Sequence, residues 1–83
     1  MVRERETVVF LRDFGQAVRE AREELGWSQE ELGFEAGLDR TYVSGVERGK
    51  RNPTLRIVRQ VCRALGVRPS TLIRRAEDAG GLD

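Results

Sequence analysis

The sequence has no histidine, one cysteine (Cys62), two prolines, one tryptophan and one tyrosine among its 83 residues. Without histidine there is no imidazole general base and no Ser-His-Asp arrangement. A single thiol cannot close an internal disulfide, and without histidine it cannot build a structural zinc site. No metal-spacing motif or Gly-rich phosphate loop is present, so no cofactor and no enzymatic activity are expected. Long apolar runs are also missing. The longest, Val8-Val9-Phe10-Leu11, falls far short of the ~20 residues that span a bilayer. The opening Arg3-Glu4-Arg5-Glu6 has no apolar stretch of signal-peptide length behind it. A cytoplasmic protein with no membrane contact is expected. No linker, repeat or low-complexity run divides the chain, so residues 1–83 are expected to form one domain, with a core over about 7–78 and a fraying tail at 79–83. A chain this short buries little apolar surface, which favours a small helical bundle or a dimer.

A charge excess is missing too, since the net charge is +1. That sum conceals three blocks. Residues 1–39 carry five cations and ten anions (−5), residues 40–76 ten cations and only Glu47 (+9), and residues 77–83 three anions (−3). Such asymmetry points to a polyanion-binding face. Fourteen of the fifteen cations are arginine, the side chain suited to bidentate recognition of phosphate or guanine.

What is present is helical punctuation. Leu11, Phe14, Val18, Ala21 and Leu25 recur at helical spacing on one face, and Gly26 stops that helix. Ser28-Gln29-Glu30-Glu31 is a capping box opening a second helix to about Ala36, ended by Gly37. Asp39 caps a third helix through Arg48, with Val43 and Val46 inward and Gly49 as its stop. Thr54 caps a fourth helix whose apolar face carries Leu55, Val58, Val61, Cys62 and Leu65, closed by Gly66. Pro69 suits the first position of a fifth, with Leu72, Ile73 and Ala76; Gly80 to Asp83 should fray. No segment alternates apolar and polar over strand length. The expected fold is an all-α, five-helix bundle.

Within it, Gln29–Arg48 has the pattern of a helix-turn-helix. Two helices crossing over a short turn need small residues at their approach, a turn residue free to take positive φ, and inward apolar positions. Gly33, Gly37, Leu32, Ala36, Leu38, Val43 and Val46 meet all three needs inside one window.

Phe14–Ala76 resembles the Xre/Cro-type, phage repressor-like DNA-binding domain. The resemblance is carried by Arg19 and Arg22, by Gly26-Trp27-Ser28-Gln29-Glu30-Glu31-Leu32, by the run Leu38 to Pro53, and by Ala64-Leu65-Gly66-Val67. The run Leu38–Arg48 looks most like restriction–modification controller proteins and is similar to prophage-type regulators as well. The resemblance implies a lambda repressor-like fold and a sequence-specific transcriptional regulator. Such a protein binds double-stranded DNA as a homodimer on a two-fold operator and regulates its own operon. The antitoxin of a toxin–antitoxin pair and a prophage-type repressor are the alternatives, with a toxin or RNA polymerase as further partners. A protein-interaction module that uses this fold without DNA is disfavoured by the +9 block.

In this motif the third helix enters the major groove. Its outer positions are Arg40, Thr41, Ser44 and Gly45. Arg40 can donate twice to guanine O6 and N7, and Thr41 and Ser44 can bond base edges or phosphates. Gly45 either clears space for DNA or a partner, or is an exposed position without a role. The resemblance places Gln29 on a phosphate. Arg48, Lys50, Arg51 and Asn52 suit backbone contacts, which position without reading sequence. Tyr42 either contacts the backbone or closes the side of the bundle. The resemblance also implies a partly buried, structural Arg22–Glu47 ion pair. Trp27 is expected in the core or as a staple before the Ser28 cap, and Cys62 as a small core residue. Ile57 and Ile73, off the inner faces of their helices, are the candidates for a dimer interface, ringed by Arg74 and Arg75.

Overall fold

The structure, a computed structural model, describes residues 3–80. It contains α1 (Glu4–Glu24), α2 (Gln29–Ala36), α3 (Arg40–Glu47), α4 (Leu55–Leu65) and α5 (Pro69–Ala79), with no strand among the described residues. The all-α, five-helix expectation holds. Ala79 ends α5 and Gly80 follows it; the rest of the expected fraying tail lies outside the described residues.

Two expectations about helix faces are corrected. α1 begins at Glu4, about two turns before the first residue of the expected apolar face, Leu11. Glu4 and Glu6 in its first turn favour the positive end of the helix dipole. Phe10 packs against the core, so the added turns are anchored. Leu25 and Leu55 are not core residues, being 47% and 86% exposed. Leu25 lies past the last helical residue, where the chain turns away at Gly26. Leu55 is the first residue of α4 and projects past the edge of the bundle.

All five helices contribute to the core. Phe14, Ala17, Val18 and Ala21 of α1 meet Leu32 and Ala36, Val43 and Val46, Val58, Val61, Cys62 and Leu65, and Leu72 and Ala76. Leu32, Val18, Cys62 and Leu72 are sealed from solvent. Burial pushes the Cys62 thiol pKa up, as a small core residue requires. Trp27 is half-buried against this core. α1 packs along α5 and crosses α3, while α2 packs on α3 and α4. At the α1–α3 crossing, a Cβ on Gly15 would overlap the Val46 and Glu47 carbonyl oxygens. Gly15 therefore sets how closely the scaffold approaches the end of α3. The Gln60 amide donates to the Ala36 carbonyl at 3.1 Å, satisfying an orphan acceptor at the end of α2.

Candidate nucleic-acid interface

Local capping sets the two helices of the motif. Ser28 Oγ accepts from the Glu31 N–H at 3.0 Å, and Glu31 Oε1 accepts from the Ser28 N–H at 2.8 Å. This reciprocal pair fixes the start of α2. Gly37 then takes φ 73°, and the Leu38 N–H donates to the Gly33 carbonyl at 2.7 Å. A Cβ on Gly33 would stand 2.6 Å from the Leu38 oxygen, so the turn closes only over glycine. Asp39 accepts from the Thr41 N–H at 2.9 Å and from the Thr41 hydroxyl. These hydrogen bonds, with Arg40 nearby, hold the Asp39 carboxyl below its ordinary range.

On α3, Arg40 and Thr41 are exposed and Ser44 is half-buried. The Thr41 hydroxyl is engaged by Asp39, so its methyl is left for other contacts. Arg48, Lys50, Arg51 and Asn52 are exposed at the end of α3 and in the following loop. Arg48 Nε donates to the Ser44 carbonyl at 3.3 Å. Among the described residues, no carboxylate pairs with Arg40, Arg48, Lys50 or Arg51 within ion-pair distance. These cations are thus exposed along α3 and its loop, with Asp39 as the nearby acid beside Arg40.

Gly45 corrects both readings of that position, because it is not an outer residue. It is buried, and a Cβ there would stand 2.7 Å from Arg51 Cγ. The Arg51 stem fills the space, and its guanidinium lies 5.5 Å from the centroid of the half-buried Tyr42 ring. Tyr42 and Gly45 are three residues apart on one helical face. Together they seat Arg51 beside α3 in advance of any ligand.

The expected Arg22–Glu47 pair is present and buried, at 8% and 6% exposure. Arg22 Nε donates to Glu47 Oε2 at 2.7 Å and Nη2 to Oε1 at 3.0 Å, a bidentate pair. Nη1 donates to the Trp27 carbonyl at 2.7 Å. Hydrogen bonding to Glu47 raises the Arg22 pKa against the opposing effect of burial, so the guanidinium stays charged. Gln29, expected on a phosphate, is half-buried and donates its amide to Glu47 Oε1 at 3.0 Å. Its side chain is therefore a third tie in this network. The network joins α1, the start of α2 and the end of α3. It also consumes the one acid of residues 40–76.

Ile57 and Ile73 are both half-buried and packed against the core. Ile73 lines an apolar groove with Phe10, Leu11, Phe14, Pro53 and Leu55. Ile57 is half-buried on the flank of α4 that it shares with Gln60 and Ala64, toward α2. Leu55 stands two residues away, on the opposite side of the helix. Arg75 reaches back to Glu24 at 3.8 Å, so it does not ring the groove. Periodicity missed Leu55 as a surface residue, and also Phe34, which is 84% exposed on α2. Phe34's signal was available: no apolar partner sits four residues from it in α2.

Short helices crossed over a glycine turn, with exposed cations along the second, define a helix-turn-helix protein. The chain belongs to the helix-turn-helix family, whose profile matches residues 18–72. It is a DNA-binding transcriptional regulator of the Xre type, a class without enzymatic activity. Control protein C.BamHI of Bacillus amyloliquefaciens is 48% identical over 61 residues, covering 72% of this chain and 75% of that protein. The restriction–modification controller protein C.AhdI from Aeromonas hydrophila has a similar crystal structure, with a TM-score of 0.74. It is 50% identical, covering 75% of this chain and 94% of that one. The immunity repressor protein of Bacillus phage phi105 is 34% identical over 59 residues, 71% of this chain and 41% of that protein. No helix among the described residues is long and apolar enough to cross a membrane.

Proposed function

We propose that this regulator is a restriction–modification controller-like protein of the cytoplasm that binds a two-fold operator as a homodimer and controls its own operon. One observation carries the reading. Arg40, Arg48, Lys50 and Arg51 are exposed along α3 and its loop without an ion-pair partner, while the sole acid in their block is buried against Arg22. Arg40 is the base reader, with Thr41 and Ser44 beside it. Arg48, Lys50, Arg51 and Asn52 hold phosphates, with Tyr42 supporting Arg51. Gln29 acts through its bond to Glu47 and through the exposed start of α2, where a helix N-terminus favours an anion.

A second copy supplies the other half-site, about one helical turn (~34 Å) away. The groove between Leu55 and Ile73 supports pairing there, because it carries the 86% exposed Leu55. A protein partner is the second reading. Phe34 is 84% exposed and shares a shallow pocket with Trp27, Glu30, Glu31 and Glu35, an apolar and acidic surface. That surface suits a toxin or RNA polymerase. A restriction gene beside this one favours the controller reading, and a toxin gene the antitoxin reading.

The test is binding to duplex from the gene's own upstream region. Affinity should fall with salt by a slope of roughly −0.9 per phosphate neutralised; a flat slope overturns the reading. Arg40→Ala should lose about 1–3 kcal/mol of discrimination at one base pair per half-site. Arg51→Ala should weaken all sequences alike. Identical behaviour of the two variants would refute the assignment of roles.

A further inference from the structure

The loop that follows α3 approaches α1 closely at Gly49. Gly49 has φ 72°, and a Cβ there would stand 2.7 Å from Arg12 Cα and 2.9 Å from Arg12 N. The α1 backbone at Arg12 therefore abuts the chain between Arg48 and Lys50. Arg12 precedes Gly15 by three residues, so it shares the flank of α1 that crosses α3. Its side chain is 68% exposed, and its one ion-pair neighbour among the described residues is Asp13, at 3.9 Å. Asp13 itself is largely buried, and its other oxygen lies toward Gly80 at the end of α5. Glu47, the acid nearest in sequence to the loop, is occupied by Arg22 and Gln29. The Arg12 backbone thus stands beside the chain between Arg48 and Lys50, although Arg12 lies outside residues 18–72 that define the family match.

We propose that Arg12, through its contact with Gly49, is a DNA-backbone ligand that extends the interface from the helix-turn-helix onto α1. The proposal rests on the DNA-binding reading above. The ligand is a phosphodiester oxygen of duplex DNA adjacent to those held by Lys50 and Arg51. A cation on the longest helix of the bundle is carried by a rigid element, so the contact fixes the angle at which the domain sits on the duplex. It reads no base.

The experiment compares the full chain with Arg12→Ala, Arg12→Lys and Arg19→Ala on upstream duplex and on a scrambled duplex across a salt series. Arg19 serves as the control because it has the same charge on the same helix but pairs with Glu23 at 3.2 Å. Arg12→Ala removes one phosphate contact per subunit, so the salt slope of the bound dimer should become shallower by about 1.8, which is about 12-fold less loss of affinity between roughly 50 and 200 mM salt. Both duplexes should be affected equally. Arg12→Lys should restore the slope, and Arg19→Ala should leave it unchanged. Matching thermal melts would confirm that Arg12→Ala folds. An unchanged slope in Arg12→Ala, with the parent protein still salt-sensitive, overturns the Arg12 assignment alone. Equal losses in Arg12→Ala and Arg19→Ala overturn it in favour of net charge. A loss of discrimination between the duplexes overturns the purely phosphate role. A flat slope in the parent protein instead overturns the DNA-binding reading itself.

Discussion

Replacing Glu47 with alanine should come close to unfolding the domain. Arg22 and Glu47 are 8% and 6% exposed, so solvent screening does little to weaken their pairing. The substitution removes two charge-assisted bonds from Arg22 and the acceptor for Gln29. It leaves a buried guanidinium whose remaining partner is the Trp27 carbonyl. Breaking one side of a buried pair costs about 3–5 kcal/mol, whereas replacing both sides with apolar groups is often neutral or stabilising. A domain of this size has a total stability of roughly 4–12 kcal/mol, and each kcal/mol moves its melting point by about 4–8 °C. Glu47→Ala should therefore melt at least about 12 °C lower by circular dichroism. The double variant Arg22→Met, Glu47→Leu should melt near the parent protein. It should nonetheless bind DNA more weakly, because Gln29 and the start of α2 lose their tie to α3. A loss below about 4 °C in Glu47→Ala, under roughly 1 kcal/mol, would refute the buried-pair argument. A double variant as unstable as the single would show that shape and not charge sets the cost.

Gly15→Ala should also destabilise strongly, because the new Cβ meets the fixed carbonyls of Val46 and Glu47 and no movable side chain. Overpacking of this kind costs about 1–3 kcal/mol or more, readable in urea titrations, and parent-like stability would contradict the close crossing. Asp39 gives an acid dependence. Its folded carboxyl is held below the ordinary value by Thr41, so the unfolded chain takes up the proton first. The cap then stabilises above the ordinary aspartate pKa and loses its contribution as pH falls through the lower folded value. Asp39→Asn should flatten that part of the stability–pH curve, and an unchanged curve would remove Asp39 from the account. Leu55→Glu should give a monomer by sedimentation if the Leu55–Ile73 groove pairs two copies; an intact dimer moves the interface elsewhere.

Much of the interface was legible in the linear chain because its signals are local. The Ser28–Glu31 box, the Asp39 and Thr54 caps and the Gly37 turn each depend on residues within five positions. Their geometry follows from backbone hydrogen bonding alone. Arg40 at the start of α3, Arg48 at its end and Lys50 in the next loop followed once those ends were set. Gln29 and Gly45 were read differently, because each is defined by a residue that sequence spacing does not bring near. Glu47 is 18 residues from Gln29, and Arg51 folds back across the helix end onto Gly45.

The chain by itself determined the five helices, the glycine turn, the basic block and the exclusion of histidine, zinc and disulfide chemistry. These are properties of composition and of neighbours along the backbone. Tertiary structure alone decided that Leu55 and Phe34 face outward, that Gly15 and Gly49 are contact points, and that Ile73 shares a groove with Leu55. It also placed Arg12 beside Gly49 in the loop that follows α3. The physical reason is that such facts depend on the distance and rotation between packed helices. Apolar periodicity sets which stripe of a helix turns inward, but not which neighbour meets its edges or how closely.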